Sequence, residues 1–245
     1  MLRTLARVVL PAPARQHAYR LAMRARHAGM RRQCPVCLAH LHRFVDDGDP
    51  PRPEARCPVC DAMERHRLLW CYFREQTDIL QGSGHLLHVA PELCFVARLR
   101  RALGARYVTL DLSSSADVRG DLLHLPWRDA TFRVVYCSHV LEHVPDDQGA
   151  IRELRRVLHP DGYAILQVPM RPGKTFEDPT ITTPEERYRV FGQDDHVRIY
   201  GDDYPDRLRA AGWTVTEDRY AFGLAPEFCS RHGIVPEVII RARPR

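Results

Sequence analysis

Two Cys-Pro-Val-Cys runs, at residues 34–37 and 57–60, carry the clearest chemistry in this chain of 245 residues. A two-residue spacer lets both sulfurs of one turn face a single ion, and the second turn follows after nineteen residues. Cys34, Cys37, Cys57 and Cys60 can therefore complete a tetrahedral shell of four thiolates. Such a shell saturates zinc and leaves no position for water, so a structural Zn2+ is expected, stabilising a fold of about 30 residues too small to hold itself together. The other cysteines, Cys71, Cys94, Cys137 and Cys229, fall singly in apolar surroundings, the usage of a reducing, cytoplasmic compartment.

A second group could move protons or hold a nucleotide. His139 follows an apolar run, and Asp194, Asp195 and His196 cluster in the segment Phe-Gly-Gln-Asp-Asp-His-Val-Arg-Ile-Tyr-Gly. A histidine takes a proton from a hydroxyl or amine near neutrality, which makes His139 and His196 candidate bases, with Asp195 beside them. For His196, substrate contact and loop anchoring are equally expected. His143, within Leu-Glu-His-Val, is expected to hydrogen-bond backbone and order its loop. Asp111 ends an apolar run about twenty residues after the turn at 85–92, where a carboxylate accepts from ribose hydroxyls. Asp121, read as lying within the next strand, could accept from an exocyclic adenine amine.

Those side chains need a scaffold, and the sequence alternates accordingly. Strands are expected at 85–90, 106–110, 118–122, 132–137, 163–168, 213–217 and 237–241, and helices at 61–80, 92–103, 147–158 and 202–211. Leu68, Leu69, Tyr72 and Phe73 form the apolar stripe of the first of these helices. The alternation argues for an open, mostly parallel sheet covered on both faces. A short Gly/Ser break at 81–84 puts the domain boundary near residue 80. The polar, Pro-punctuated stretch 169–201 rises from a strand's carboxyl end with no core to join, and reads as a substrate lid.

Charge is uneven. Residues 1–33 contain eight Arg and no acid, leaving 28 basic against 31 acidic residues after them. The excess of +5 thus belongs to a basic N-terminal arm, where 15–30 could form a basic amphipathic helix and a transit peptide is the alternative. No run approaches the roughly 18 apolar residues of a membrane span, and the apolar run 8–10 is too short for a signal-peptide core. A soluble, non-secreted protein is expected.

The runs "GDLLHLPW" (120–127), "FRVVYCSHVLEHVPD" (132–146) and "RELRRVLHPDGYAILQVP" (152–169), together with Asp111, resemble the class I S-adenosylmethionine-dependent methyltransferases over roughly residues 85–245. The resemblance implies an α/β fold with a seven-stranded Rossmann-like sheet whose last strand is antiparallel, preceded here by the small zinc-ribbon-like module at 34–80. It also implies that S-adenosylmethionine lies across the carboxyl ends of the first strands. Asp111 would then meet the ribose hydroxyls, Asp121 and Leu122 the adenine, and Ser138 or His139 the methionine moiety, with Leu112 also against the cofactor. Where the family carries an acid and a Gly-x-Gly-x-Gly loop, this chain has His88, Ala90, Pro91, Glu92 and Cys94. The cofactor has no phosphate, so Glu92 could instead receive its ammonium.

The leading expectation is methyl transfer to an O or N atom of a small polar metabolite, sugar or natural-product intermediate. Zinc ribbons beside such domains resemble RNA-methylating enzymes, but residues 34–60 hold three Arg against four acids, so nucleic acid is the weaker acceptor. A non-catalytic zinc-binding interaction protein is the third reading.

Overall fold

In the computed structural model residues 12–113 and 116–245 are described. The apolar run at 8–10 lies outside them. The chain folds as two units: one holds residues up to Asp78 with Leu93–Arg98 and Tyr220–Glu237, the other Ile79–Glu92, Leu99–Arg219 and Val238–Arg245. No helix among the described residues is long and apolar enough to cross a membrane.

The first unit opens with helix α1 (Ala12–Arg26). The expected helix over 15–30 stops at Arg26 because Ala28–Gln33 forms β1, paired antiparallel with β2 (His40–Leu41) around the first Cys-Pro-Val-Cys turn. A second hairpin, β3 (Val45–Asp47) and β4 (Arg52–Arg56), delivers the chain to the other turn. Helix α2 (Glu64–Glu75) follows, shorter than the expected 61–80. Its start is delayed because Asp61 takes a left-handed backbone with φ 61° and Cys57 donates to the Ala62 carbonyl, so both residues belong to the turn. Leu68, Leu69, Tyr72 and Phe73 are buried as the apolar stripe required.

Arg67, on the same helix, is fully buried. Its guanidinium donates to the carbonyls of Glu54, Ala55, Ala62 and Gly233 and lies 4.0 Å from the centre of the Phe44 ring. One side chain thus satisfies carbonyls from β4, from the second cysteine turn and from a segment more than 160 residues later.

The second unit is the sheet. Strand β5 (Leu86–Val89) is buried throughout and leads through a turn into α3 (Leu93–Leu103), whose first part, Leu93–Arg98, belongs to the first unit. Next come β6 (Tyr107–Asp111), β7 (Val118–Arg119), β8 (Phe132–Ser138), α4 (Asp147–Val157) and β9 (Leu158–Gln167). The insertion contains β10 (Phe176–Glu177), α5 (Pro184–Phe191) and β11 (Arg198–Ile199). The chain closes through α6 (Tyr204–Ala210), β12 (Trp213–Asp218), α7 (Pro226–His232) and β13 (Ile239–Pro244), α7 belonging to the first unit.

Strand order is β12-β13-β9-β8-β5-β6-β7, and β13 runs antiparallel to both neighbours, so the expected seven-stranded sheet with an antiparallel last strand is present. Helix α4 buries Ala150, Ile151, Leu154 and Val157, the one-face spacing of an amphipathic helix, into the core with Leu87, Val135 and Leu166. Three expectations change. Strand 118–122 ends at Arg119, because Asp121 accepts from the Leu123 N–H and turns the chain. β9 starts at Leu158, ahead of the expected 163, and a Cβ at Gly162 would lie 2.6 Å from the Arg133 carbonyl oxygen, so the bend at its entry requires glycine. The insertion does have a core, with Phe191 and Tyr200 almost fully buried.

Candidate functional site

The sheet changes winding direction between β5 and β8, and the two strands end side by side. Ala90 and His139, the first residues beyond them, both have left-handed backbones, with φ 47° and 55°. Such conformations are costly for residues with a Cβ and persist where surrounding bonds over-determine them. Here the Ala90 N–H donates to the Leu110 carbonyl and the His139 N–H to the Gln167 carbonyl, each at 2.8 Å.

Glu92 is fixed from two sides. His88, with no exposed surface, approaches Glu92 Oε2 at 2.5 Å through Nε2 and the Tyr107 hydroxyl at 2.8 Å through Nδ1. The Tyr136 hydroxyl donates to Glu92 Oε1 at 2.7 Å. His88 thus acts as a bracket for Glu92. Tyr107 and Tyr136 are partners that the sequence reading misses, since each lies on a neighbouring strand.

Half-buried Asp111 stands at the end of β6, its Oδ1 accepting from the Ser113 N–H at 2.7 Å. Gly120 donates to the Asp111 carbonyl, which brings exposed Asp121 and buried Leu122 to the same rim. Leu112 is 72% exposed and Pro91 half-buried, apolar surface open to a ligand. Ser138 is buried, and its Oγ has no hydrogen-bond partner among the described residues. An orphaned hydroxyl beside two strained strand ends fits a bound polar molecule.

Beyond β8 the chain assembles a histidine–carboxylate group. His139 Nδ1 lies 3.4 Å from Glu142 Oε1, and His143 Nδ1 lies 3.2 Å from Asp195 Oδ2. The His143 and His196 rings meet edge to face at 4.6 Å. His143 therefore turns its ring toward the insertion, where backbone bonding had been expected. Burial lowers the His196 pKa, and the neighbouring His143 lowers it further. The three catalytic candidates His139, Asp195 and His196 converge here, Asp195 from an exposed position next to the equally exposed Asp194. Glu142, 1% exposed, was absent from the sequence reading.

Arg198 holds the two parts of this group together. Almost fully buried, it donates to the carbonyls of Leu141, Val144 and Pro145 and to Glu177 Oε2. The Val197 N–H donates to the Glu142 carbonyl at 2.9 Å. The insertion is thus stitched onto residues 141–145.

In the other unit, Cys34 and Cys60 Sγ are 3.7 Å apart, Cys37 and Cys57 Sγ 3.8 Å, and all four lie within 4.8 Å of one another. A tetrahedron with metal–sulfur bonds of about 2.3 Å has edges of about 3.8 Å, so the residues fit an ion. The two turns repeat each other bond for bond: Leu38 donates to the Cys34 carbonyl, Asp61 to that of Cys57, and both Leu38 and Asp61 have left-handed backbones. Hydrogen bonds from Cys34 pull Cys37 and Cys57 below the ordinary thiol pKa, while Cys37 pushes Cys34 up and Cys34 pushes Cys60 up. All eight cysteines are free thiols.

Residues 87–166 match the protein family described as "Methyltransferase domain". The chain is 34% identical over 96 residues to 27-O-demethylrifamycin SV methyltransferase of Amycolatopsis mediterranei, covering 38% of this chain and 33% of that one. It is 27% identical over 111 residues to sterol 24-C-methyltransferase erg6 of Schizosaccharomyces pombe, covering 45% and 27%. A solved S-adenosylmethionine dependent methyltransferase from Mesorhizobium loti superposes with a TM-score of 0.49 at 16% identity, covering 71% of this chain and 96% of that one. The chain spans a third or less of the length of these two curated relatives.

Proposed function

We propose that this chain, which carries a methyltransferase domain over residues 87–166, moves the methyl group of S-adenosylmethionine to an O or N atom of a small polar acceptor, a metabolite, sugar or natural-product intermediate. The observation that carries the reading is the pair of strained strand ends, Ala90 and His139, with the orphaned Ser138 hydroxyl at the end of β8. S-adenosylmethionine supplies an electrophilic methyl group on a sulfonium when bound. Asp111 and Leu112 would hold its ribose, Asp121 and Leu122 its adenine, and Pro91, Ser138 and the bracketed Glu92 its methionine end, where a carboxylate attracts an ammonium. The insertion at 169–201 would cover the acceptor, whose proton is taken up within the group His139, Asp195 and His196. The similarity to a 27-O-demethylrifamycin SV methyltransferase supports a small-molecule acceptor. Zinc on Cys34, Cys37, Cys57 and Cys60 would be structural, and reduced thiols fit a cytoplasmic setting.

The test is calorimetry with S-adenosylhomocysteine. Wild type binds, and Asp111→Ala, which removes a charged acceptor for two hydroxyls, weakens binding by about 1.5–3 kcal/mol. Equal affinities would overturn the ribose assignment. No binding to either protein would leave the non-catalytic reading.

A second acceptor class, RNA, rests on one observation. Arg20, Arg24 and Arg98, with His17, line a cavity of about 270 Å³ beside Cys37 and Cys60, and the three guanidinium groups are suited to phosphate. RNA retention that falls steeply with salt would favour it.

A further inference from the structure

Glu142 presents a problem that its protein neighbours do not solve. Neither of its buried carboxylate oxygens has a hydrogen-bond partner among the described residues, and His139 Nδ1 stands 3.4 Å from its Oε1. Withdrawing an ionised carboxylate from water without hydrogen bonds is expensive, and native proteins resolve such groups by pairing or by metal coordination. The atoms facing it are metal donors: one carboxylate oxygen of Glu142 and one ring nitrogen each of His143 and His196 lie within 4.8 Å of one another.

We infer that Glu142, His143 and His196 form a second metal site, holding a divalent transition-metal ion in the acceptor half of the cleft. Two imidazoles and one carboxylate suit ions such as Zn2+, Co2+, Fe2+ and Mn2+, and three protein donors leave coordination positions open, unlike the closed four-cysteine shell. Ligands about 2.1 Å from such an ion stand roughly 3 Å apart, so the donors need only close inward, the imidazoles by rotation. The scaffold that would hold them is already built. Glu142 and His143 sit in the turn after β8, His196 precedes β11, and Arg198 together with the Val197 N–H ties the two segments.

The proposal rests on the methyltransferase reading only for its purpose. An ion with open positions beside a methyl donor selects an acceptor presenting a hydroxyl oxygen, whose acidity it raises. In the transfer the acceptor O–H loses its proton to His139 or Asp195, the O–CH3 bond forms as the S–CH3 bond breaks, and the sulfur keeps the electron pair. His196 is then a ligand, and a hydroxyl is favoured over an amine.

Cobalt titration of the zinc-loaded protein reads the site without requiring turnover. The expected result is one Co2+ bound per chain in addition to the zinc, with visible bands lacking thiolate charge transfer, and affinity lowered at least tenfold in Glu142→Gln and in His196→Gln. His196→Gln lies on the half-buried insertion, which keeps the test open should Glu142→Gln fail to fold. No second equivalent in wild type up to about 1 mM, a spectrum dominated by thiolate, or unchanged affinity in a folded variant overturns the site. S-adenosylhomocysteine binding measured on the same samples separates the readings. Cofactor binding without cobalt removes the metal alone, and cobalt without cofactor removes the methyltransferase reading alone.

Discussion

Asp117 shows how one side chain braces the end of β6. Its Oδ2 accepts from the Thr109 N–H and hydroxyl, at 3.0 and 2.8 Å, and Arg100 donates to both its oxygens. Burial pushes its pKa up, but the hydrogen bonds from Arg100 and Thr109 outweigh that and hold the carboxyl below the ordinary 3.8. A carboxyl whose folded value is depressed contributes stability above its ordinary value and loses it as pH falls through the lower one. Asp117→Ala is therefore expected to cost about 1 kcal/mol near neutrality, a modest figure because the group is partly solvated. Urea melts should show the difference between wild type and variant shrinking as pH falls below about 3.8. A gap that stayed constant through that range would mean the charge is idle. Neither Asp117 nor Glu142 stands out in the sequence, because what surrounds an acid depends on segments brought in by the fold. His139, Asp195 and His196 are legible, since histidine and aspartate at a strand end and in an insertion already suggest proton chemistry.

Among the elements, the insertion is tied down by several side chains, Arg198 the most deeply buried of them. β10 and β11 share only two register pairs, too few to persist alone. Their base is closed at Gly201, where a Cβ would collide with the Gly173 carbonyl, and their flank by Arg198. Arg198→Ala removes charge-assisted bonds to three carbonyls and should lower the local opening free energy by about 2–3 kcal/mol. Hydrogen exchange should then accelerate at residues 176–177 and 198–199 while β8 and β9 stay protected; equal acceleration everywhere would mean that Arg198 supports the whole sheet. The sheet strands were readable from apolar runs and the lengths of the helices between them. The hairpin and helix of the insertion were not, because two-residue strands have no periodicity and α5 is announced only by its Thr183–Glu186 capping box.

At the scale of the whole molecule, the metal proposed for the four cysteines can be tested separately from the sheet. Among the described residues the cysteine unit buries few large side chains besides those of α2, Phe44 and Phe95, so loss of the ion proposed for its four cysteines should unfold it. Chelation under reducing conditions is expected to release about one equivalent of zinc and to expose the amides around Val36 and Val59 to exchange. Amides of β8 and β9 should remain protected, and their loss at the same rate would show that the units melt together. The duplicated cysteine turns made this module legible. The membership of Tyr220–Glu237 in it was not, because its links, Arg67 to the Gly233 carbonyl, Arg32 to Ser230, His232 to the Gln33 carbonyl and Tyr220 to Glu75, join residues more than 140 positions apart. That excursion also governs the order in which the chain can be assembled on the ribosome. β12 bonds within the sheet to β13 alone, yet β13 is synthesised some twenty residues later, after the stretch that belongs to the cysteine unit. A nascent chain therefore carries β12 as an unpaired ribbon, exposed to chaperones and to neighbouring chains, until β13 is inserted between it and β9.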